Sequence, residues 1–88
     1  MKEMMPEGFI VTITKTPGNF ETDLEIPSQL TFAEMKGKLL EILKILDRRE
    51  FHGWQDYALL HKNNVMSGIE TLADIGAFDC SRFIVVKK

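Results

Sequence analysis

Apolar and polar residues alternate along the first part of the chain. In Phe9-Ile10-Val11-Thr12-Ile13-Thr14-Lys15 the β-branched run places Phe9, Val11 and Ile13 on one side and Ile10, Thr12 and Thr14 on the other. That is the pattern of a half-buried strand. Thr16-Pro17-Gly18-Asn19 follows, with a proline that presets φ at the second turn position and a glycine free to take positive φ at the third, as a type II turn requires. Alternation resumes from Phe20 to Ile26: Leu24 and Ile26 join the face of Val11 and Ile13, Asp23 and Glu25 look outward, and Pro27 ends the strand because it has no N–H to donate.

The period then changes. Thr31-Phe32-Ala33-Glu34 is a capping box, in which the Thr31 hydroxyl accepts from the Glu34 N–H while the Glu34 carboxylate reaches back to the Thr31 N–H. Leu30 and Met35 are placed for a hydrophobic staple across it. Phe32, Met35, Leu39, Ile42, Leu43 and Leu46 share one side at helical spacing, which predicts a helix to Leu46 or Asp47. Glu34, Lys38 and Glu41 form its solvated side, with Glu34 and Lys38 in the favoured order for an ion pair.

Asp47 to Asp56 has neither period and reads as a connection anchored by aromatic residues. Tyr57 to Lys62 is a short strand, Asn63-Asn64 a turn, and Val65-Met66 a brief return strand. Thr71 to Gly76 is one compact turn that Gly76 closes from the left-handed region. Arg82 to Lys87 is the last strand, and its unbroken apolar run is that of a central strand buried on both faces. The fold class expected is α+β: a four- or five-stranded mixed sheet packed on one helix, with the last strand beside the first and parallel to it. The domain is expected over residues 9–88, after a flexible tail over 1–8.

Composition excludes more than it suggests. A chain of 88 residues, 44% apolar and 27% charged, suits one autonomous domain with one core. A formal charge of −2 with scattered Lys and Arg gives no cation cluster to displace counterions from phosphates, so nucleic acid is not an expected partner. No apolar stretch approaches the ~20 residues that span a bilayer. Direct membrane insertion and export are therefore not expected, and a reducing cytoplasm suits a chain whose one cysteine is Cys80.

Candidate chemistry is sparse. His52 and His61, with Asp56 between them, would need further convergent ligands to hold a metal or move a proton. Cys80 has no base near it in sequence and reads as a small residue in a tight turn. Gly18, Gly68 and Gly76 stand apart at turns and make no phosphate cradle. No catalytic residue, metal or cofactor is expected, and nothing in the pattern sets an oligomeric state.

Several segments carry a family resemblance. Ile26-Pro27-Ser28 with Thr31 to Leu39 resembles the end of the second strand and the helix start of ubiquitin, and Thr71 to Gly76 followed by Phe83-Ile84-Val85-Val86 resembles its final turn and strand. Closer still, Asp23-Leu24-Glu25-Ile26, the stretch Leu60 to Gly68, and Leu72 to Gly76 with Arg82 to Val86 resemble the YukD-like proteins of Gram-positive type VII secretion systems. The resemblance implies a β-grasp, ubiquitin-like fold and a non-conjugating protein-binding adaptor, an accessory or regulatory component of a bacterial type VII secretion system whose partner is another component of that machinery. A modifier or sulfur carrier, the alternative, needs a Gly-Gly tail, and Val86 is followed here by Lys87-Lys88. A further alternative is a ubiquitin-like scaffold domain of a larger protein, including one fused to a membrane protein.

Exposed apolar residues are the candidates for binding. By the helix period Leu40 lies about 120° from the core centre and Ile45 about 100° on the other side, so at least one is exposed unless the sheet curls over both. In ubiquitin-like domains the outer face of the third strand is the usual partner surface. The preferred phase puts Leu60 inside and Leu59 outside, flanked by Tyr57 and His61, with Trp54 reaching the same side; the opposite phase leaves Ala58 and Leu60 outside. The expected protein-binding residues are thus Tyr57, Leu59, His61, Trp54 and Leu40.

Overall fold

The computed structural model describes residues 8–88, so the expected flexible tail lies outside the described residues except at Gly8, which is already in a strand. The elements are β1 (Gly8–Lys15), β2 (Glu21–Pro27), α1 (Phe32–Leu46), β3 (Tyr57–His61), β4 (Asn64–Val65) and β5 (Arg82–Lys87). The sheet order is β2-β1-β5-β3-β4. Only β1 and β5 are parallel, with Ile13 opposite Phe83 and Lys15 opposite Val85. The last strand is thus the central one, held antiparallel by β3 on its other side, where Leu59 faces Val85 and Leu60 faces Ile84.

One core lies between the sheet and α1. Val11, Ile13, Ile26, Phe83 and Val85 from the sheet meet Phe32, Met35, Leu39 and Leu43 from the helix, and all are buried. Leu24 and Phe9 pack against this cluster from its edge. Phe32, Met35, Leu39 and Leu43 take the core side as the pattern predicts, whereas Ile42 is half-buried outside the core cluster and Leu46, in the last turn, is half exposed. The chain turns into the 47–56 connection there, and Phe51 takes the core position beyond the helix. Ile45 is exposed, and Leu40 is half-buried against the core.

The N-terminus of the helix is fully satisfied. At the N-terminus Thr31 Oγ1 accepts from Glu34 N at 3.2 Å and Glu34 Oε1 accepts from Thr31 N at 2.8 Å, completing the capping box. Such a cap is worth ~1 kcal/mol. The two remaining first-turn donors are taken by the distant loop: Phe32 N–H donates to the Glu70 carbonyl and Ala33 N–H to the Gly68 carbonyl. That loop repeats the capping chemistry at Thr71, whose Oγ1 accepts from Asp74 N while the Asp74 carboxylate accepts from Thr71 N.

Two turns differ in detail from the pattern. The 15–20 reversal occurs where expected, but Gly18 has φ 143, far from the roughly +80° that type II requires at that position; the Thr16–Pro17 peptide is cis. The β3–β4 hairpin turns on Lys62 and Asn63, at φ 52 and 68, one residue earlier than Asn63-Asn64. Positive φ at both central residues is the primed turn that suits strand twist, and it places Asn64 in β4.

Candidate functional site

The structure reverses the expected phase of β3. Leu59 is 0% exposed, Tyr57 1% and His61 7%, and all three face the helix side. The reason lies in how their polar atoms are accommodated. Tyr57 packs its ring edge-on to Phe32 and donates its hydroxyl to the Lys36 carbonyl of α1 at 2.8 Å, so an amphipathic side chain is buried with its donor satisfied. His61 stacks on Phe83 with ring centroids 4.9 Å apart. Burial pushes the Tyr57 phenol well above its ordinary pKa, with the Asp56 carboxylate adding to the effect. Burial likewise lowers that of His61, and the neighbouring Lys62 acts in the same direction.

Trp54 is also in the core, 4% exposed, edge-on to Phe51 and beneath the Lys15 ammonium. It therefore does not reach the outer face. Leu40 sits on the helix and not on the sheet, so the five expected residues do not form one surface. Asp56, beside Tyr57, is hydrogen-bonded by the Lys36 ammonium, which together with the Tyr57 N–H holds its carboxyl below the ordinary carboxylate range.

The outer face is built on the other phase. Ala58 lies opposite Val86, Leu60 opposite Ile84, and Leu60 again opposite Val65, so five aliphatic side chains from three adjacent strands share one surface. Leu60, Ile84 and Val86 are half-buried there and Val65 is largely exposed. Beyond Ile84 the same row continues through Thr14 to Glu21, which pairs with Arg82 at 3.5 Å. An aliphatic centre is thereby bordered by charge.

The connection before β5 adds a wall to this surface. Cys80 N–H donates to the Ile10 carbonyl, Ile10 N–H to the Asp79 carboxylate, and Thr12 N–H to the Ser81 carbonyl, so residues 79–81 are laced to β1. Ser81 Oγ accepts from Phe78 N at 3.0 Å. Phe78 remains 60% exposed and, with Leu60, Ile84, Thr14, Arg82 and Lys62, lines a groove of about 440 Å³, to which the otherwise buried His61 also contributes. Phe78 was not anticipated from sequence; the available signal was a large aromatic beside Asp79 in a segment without period. Cys80 is exposed at φ 73, a turn position with no role in the groove.

The groove offers shape, apolar area and a cationic rim. Among the described residues no cluster of His, Cys, Asp and Glu is arranged to hold a metal ion. His52 is exposed beside Lys44 and Arg48, whereas His61 is buried against Phe83, so the two histidines do not share a site.

No family model and no curated protein matches the chain in sequence. Solved structures do match its backbone. The ubiquitin-like domain of the Mycobacterium tuberculosis type VII secretion system protein EccD1 superposes with a TM-score of 0.74 at 19% identity, covering 91% of this chain and 98% of that one. The fold is ubiquitin-like. Ubiquitin from Caldiarchaeum subterraneum matches with a TM-score of 0.71 at 18% identity over 92% of this chain and 94% of its own. A chain of the MycP5-free ESX-5 inner membrane complex matches with a TM-score of 0.73 at 15% identity, over 91% of this chain but 21% of that one. At these identities the likeness is one of fold. No helix of the described residues is long and apolar enough to cross a membrane.

Proposed function

We propose that this ubiquitin-like domain is a non-catalytic adaptor that binds a protein partner through the outer face of β3 and β5, and that its partner is a cytoplasmic component of a bacterial type VII secretion system. The observation that carries the binding role is the aliphatic surface of Leu60, Ile84, Val86 and Val65, extended by Phe78 and rimmed by Arg82, Lys62 and Glu21. Exposed apolar centres with polar borders are where protein interfaces concentrate their binding energy. The secretion context draws support from the EccD1 domain, similar over nearly the full length of both chains. The motifs around Leu60 to Gly68 and Leu72 to Gly76 point the same way.

The ESX-5 match, in which the same fold occupies about a fifth of a longer chain, favours a second form of the reading: a ubiquitin-like module that tethers a larger assembly. Both forms use the same surface. The test mixes the purified domain with the cytosolic ATPase of the secretion machine from the same source and measures affinity by calorimetry. Leu60→Asp is expected to fold and to weaken that complex by about 2 kcal/mol or more, since it places a carboxylate at a desolvated centre. Unchanged affinity in the folded variant would remove the outer face from the reading, and no binding by the wild type would remove the ATPase as partner.

A further inference from the structure

The second apolar concavity of the molecule lies at the other side of the sheet, between β2 and α1. Leu24 and Ile26 of β2, Leu30 of the connection, and Met35, Leu39 and Ile42 of the helix line a groove of about 180 Å³. Two features set it apart from an ordinary dent in the surface. It runs directly beside a sheet edge, because among the described residues β2 pairs only with β1. That edge also has a definite register. Lys15 N donates to the Phe20 carbonyl, and Thr12 N–H and the Ile10 carbonyl are bonded on the β5 side, so by the alternation of an antiparallel ladder Thr22, Leu24 and Ile26 turn their N–H and C=O groups toward β1. Asp23 and Glu25 turn theirs away from it, and among the described residues nothing takes them.

The side chains along this edge are sorted by face. Thr22, Leu24 and Ile26 point to the helix side, the latter two over the groove, while Glu21, Asp23 and Glu25 line the opposite side as three exposed carboxylates. Asp23 accepts from Thr12 and Glu21 meets Arg82, which leaves Glu25 without a cationic partner among the described residues. A strand added beside β2 would have its own side chains sorted in the same way. Those over the groove meet a mainly aliphatic surface bordered by Glu34 and Lys38 of α1, and those on the other face lie opposite carboxylates at cross-strand distance.

We propose that the β2 edge is a second protein-binding site, independent of the outer-face surface, and that it takes an extended segment of a partner in which aliphatic and basic residues alternate, docked as a sixth strand. The occupant follows from charge complementarity. A second copy of this chain paired edge to edge would bring the carboxylates of Glu21, Asp23 and Glu25 against their own kind, an arrangement that destabilises cross-strand pairs. An acidic segment meets the same repulsion. A basic one converts the charges that guard the edge against indiscriminate pairing into its selectivity.

The test is an NMR titration of the isotope-labelled chain at about 0.15 M salt, where long-range attraction between exposed charges is largely screened. Three short capped peptides serve as probes: one alternating Val or Ile with Lys, one with Glu replacing each Lys, and one of the first composition with its aliphatic residues gathered at one end. The alternating Lys peptide is expected to shift Leu24, Leu30 and Leu39 and to slow amide exchange at Asp23 and Glu25. The other two are expected to bind at least about tenfold more weakly. The double substitution Asp23→Lys and Glu25→Lys should invert the preference between the Lys and Glu peptides. Glu25→Pro removes an edge donor without touching the ladder to β1, and should abolish protection at Asp23. Equal binding by the gathered peptide would reduce the effect to bulk electrostatics and overturn the proposal. So would shifts centred on Leu60 and Ile84, self-association through β2, or no shift with the alternating Lys peptide.

Discussion

Leu59 and Leu60 are chemically identical neighbours on one strand, yet the first is wholly buried and the second lies at the floor of an open groove. The two faces of the sheet they belong to are built on different terms. The inner face is closed by α1, and even its polar members are accommodated there, Tyr57 by the Lys36 carbonyl and His61 by the Phe83 ring. Among the described residues no element covers the aliphatic residues of the outer face. Residue polarity therefore marks the buried face of β1 and β2 but misleads on β3, where the amphipathic side chains are inside and the purely aliphatic ones outside.

The sharpest way to break this comparison is to put a charge on each face in turn. Leu59→Asp buries an unpaired carboxylate against Val85 and should cost about 3 kcal/mol or more, enough to unfold a marginal domain, whereas Leu60→Asp should stay within about 1 kcal/mol. Urea unfolding of the two variants decides it: equal destabilisation would mean that the faces do not differ as described. Truncation on β5 asks the same question with a smaller perturbation. Val85→Ala, at a fully buried position, should cost about 1 to 2 kcal/mol or slightly more from lost burial and a residual cavity, against less than about 1 kcal/mol for half-buried Val86→Ala. A larger loss at Val86 would reverse the assignment of inner and outer rows.

The smallest effect sharpens the comparison through pH. The folded-state pKa of His61 lies below its unfolded value because burial, and then Lys62, disfavour the charged ring. The unfolded chain therefore takes up the proton first, so this residue's share of stability is complete above the unfolded value of about 6.5 and is lost as pH falls from there through the folded pKa. Melting curves across that window should show His61→Gln with a flatter acid limb than the wild type. Parallel limbs would place the ring in water, on the face it is said not to occupy.

How far the chain could be read in advance follows from the same contrast. Thr31 with Glu34, and the spacing of Phe32, Met35, Leu39 and Leu43, are local signals that packing has no reason to override, and the helix forms where they predict it. The parallel pairing of β5 with β1 was legible because an apolar run such as Phe83 to Val86 belongs at the centre of a sheet. The phase of β3 was not, since Tyr57-Ala58-Leu59-Leu60-His61 has no polar row, and its orientation is decided by the Lys36 carbonyl and the Phe83 ring, both distant in sequence. For the same reason the groove was missed. Phe78 joins it only because Cys80, Asp79 and Ser81 bond to β1 some seventy residues away, as in the Ile10 to Asp79 contact separated by 69 positions.

The central position of β5 also orders events while the protein is being made. A ribosome releases residues at about 5 to 20 per second, so the β1–β2 hairpin and α1 emerge seconds before Arg82 to Lys87. Until then β1 has an open side and the β3–β4 hairpin has nothing to join. Phe83 and Val85, the residues that both halves of the sheet pack around, arrive after everything they hold together. The nascent chain therefore cannot complete its sheet, or the core to which Phe83 and Val85 belong, until its last strand has emerged.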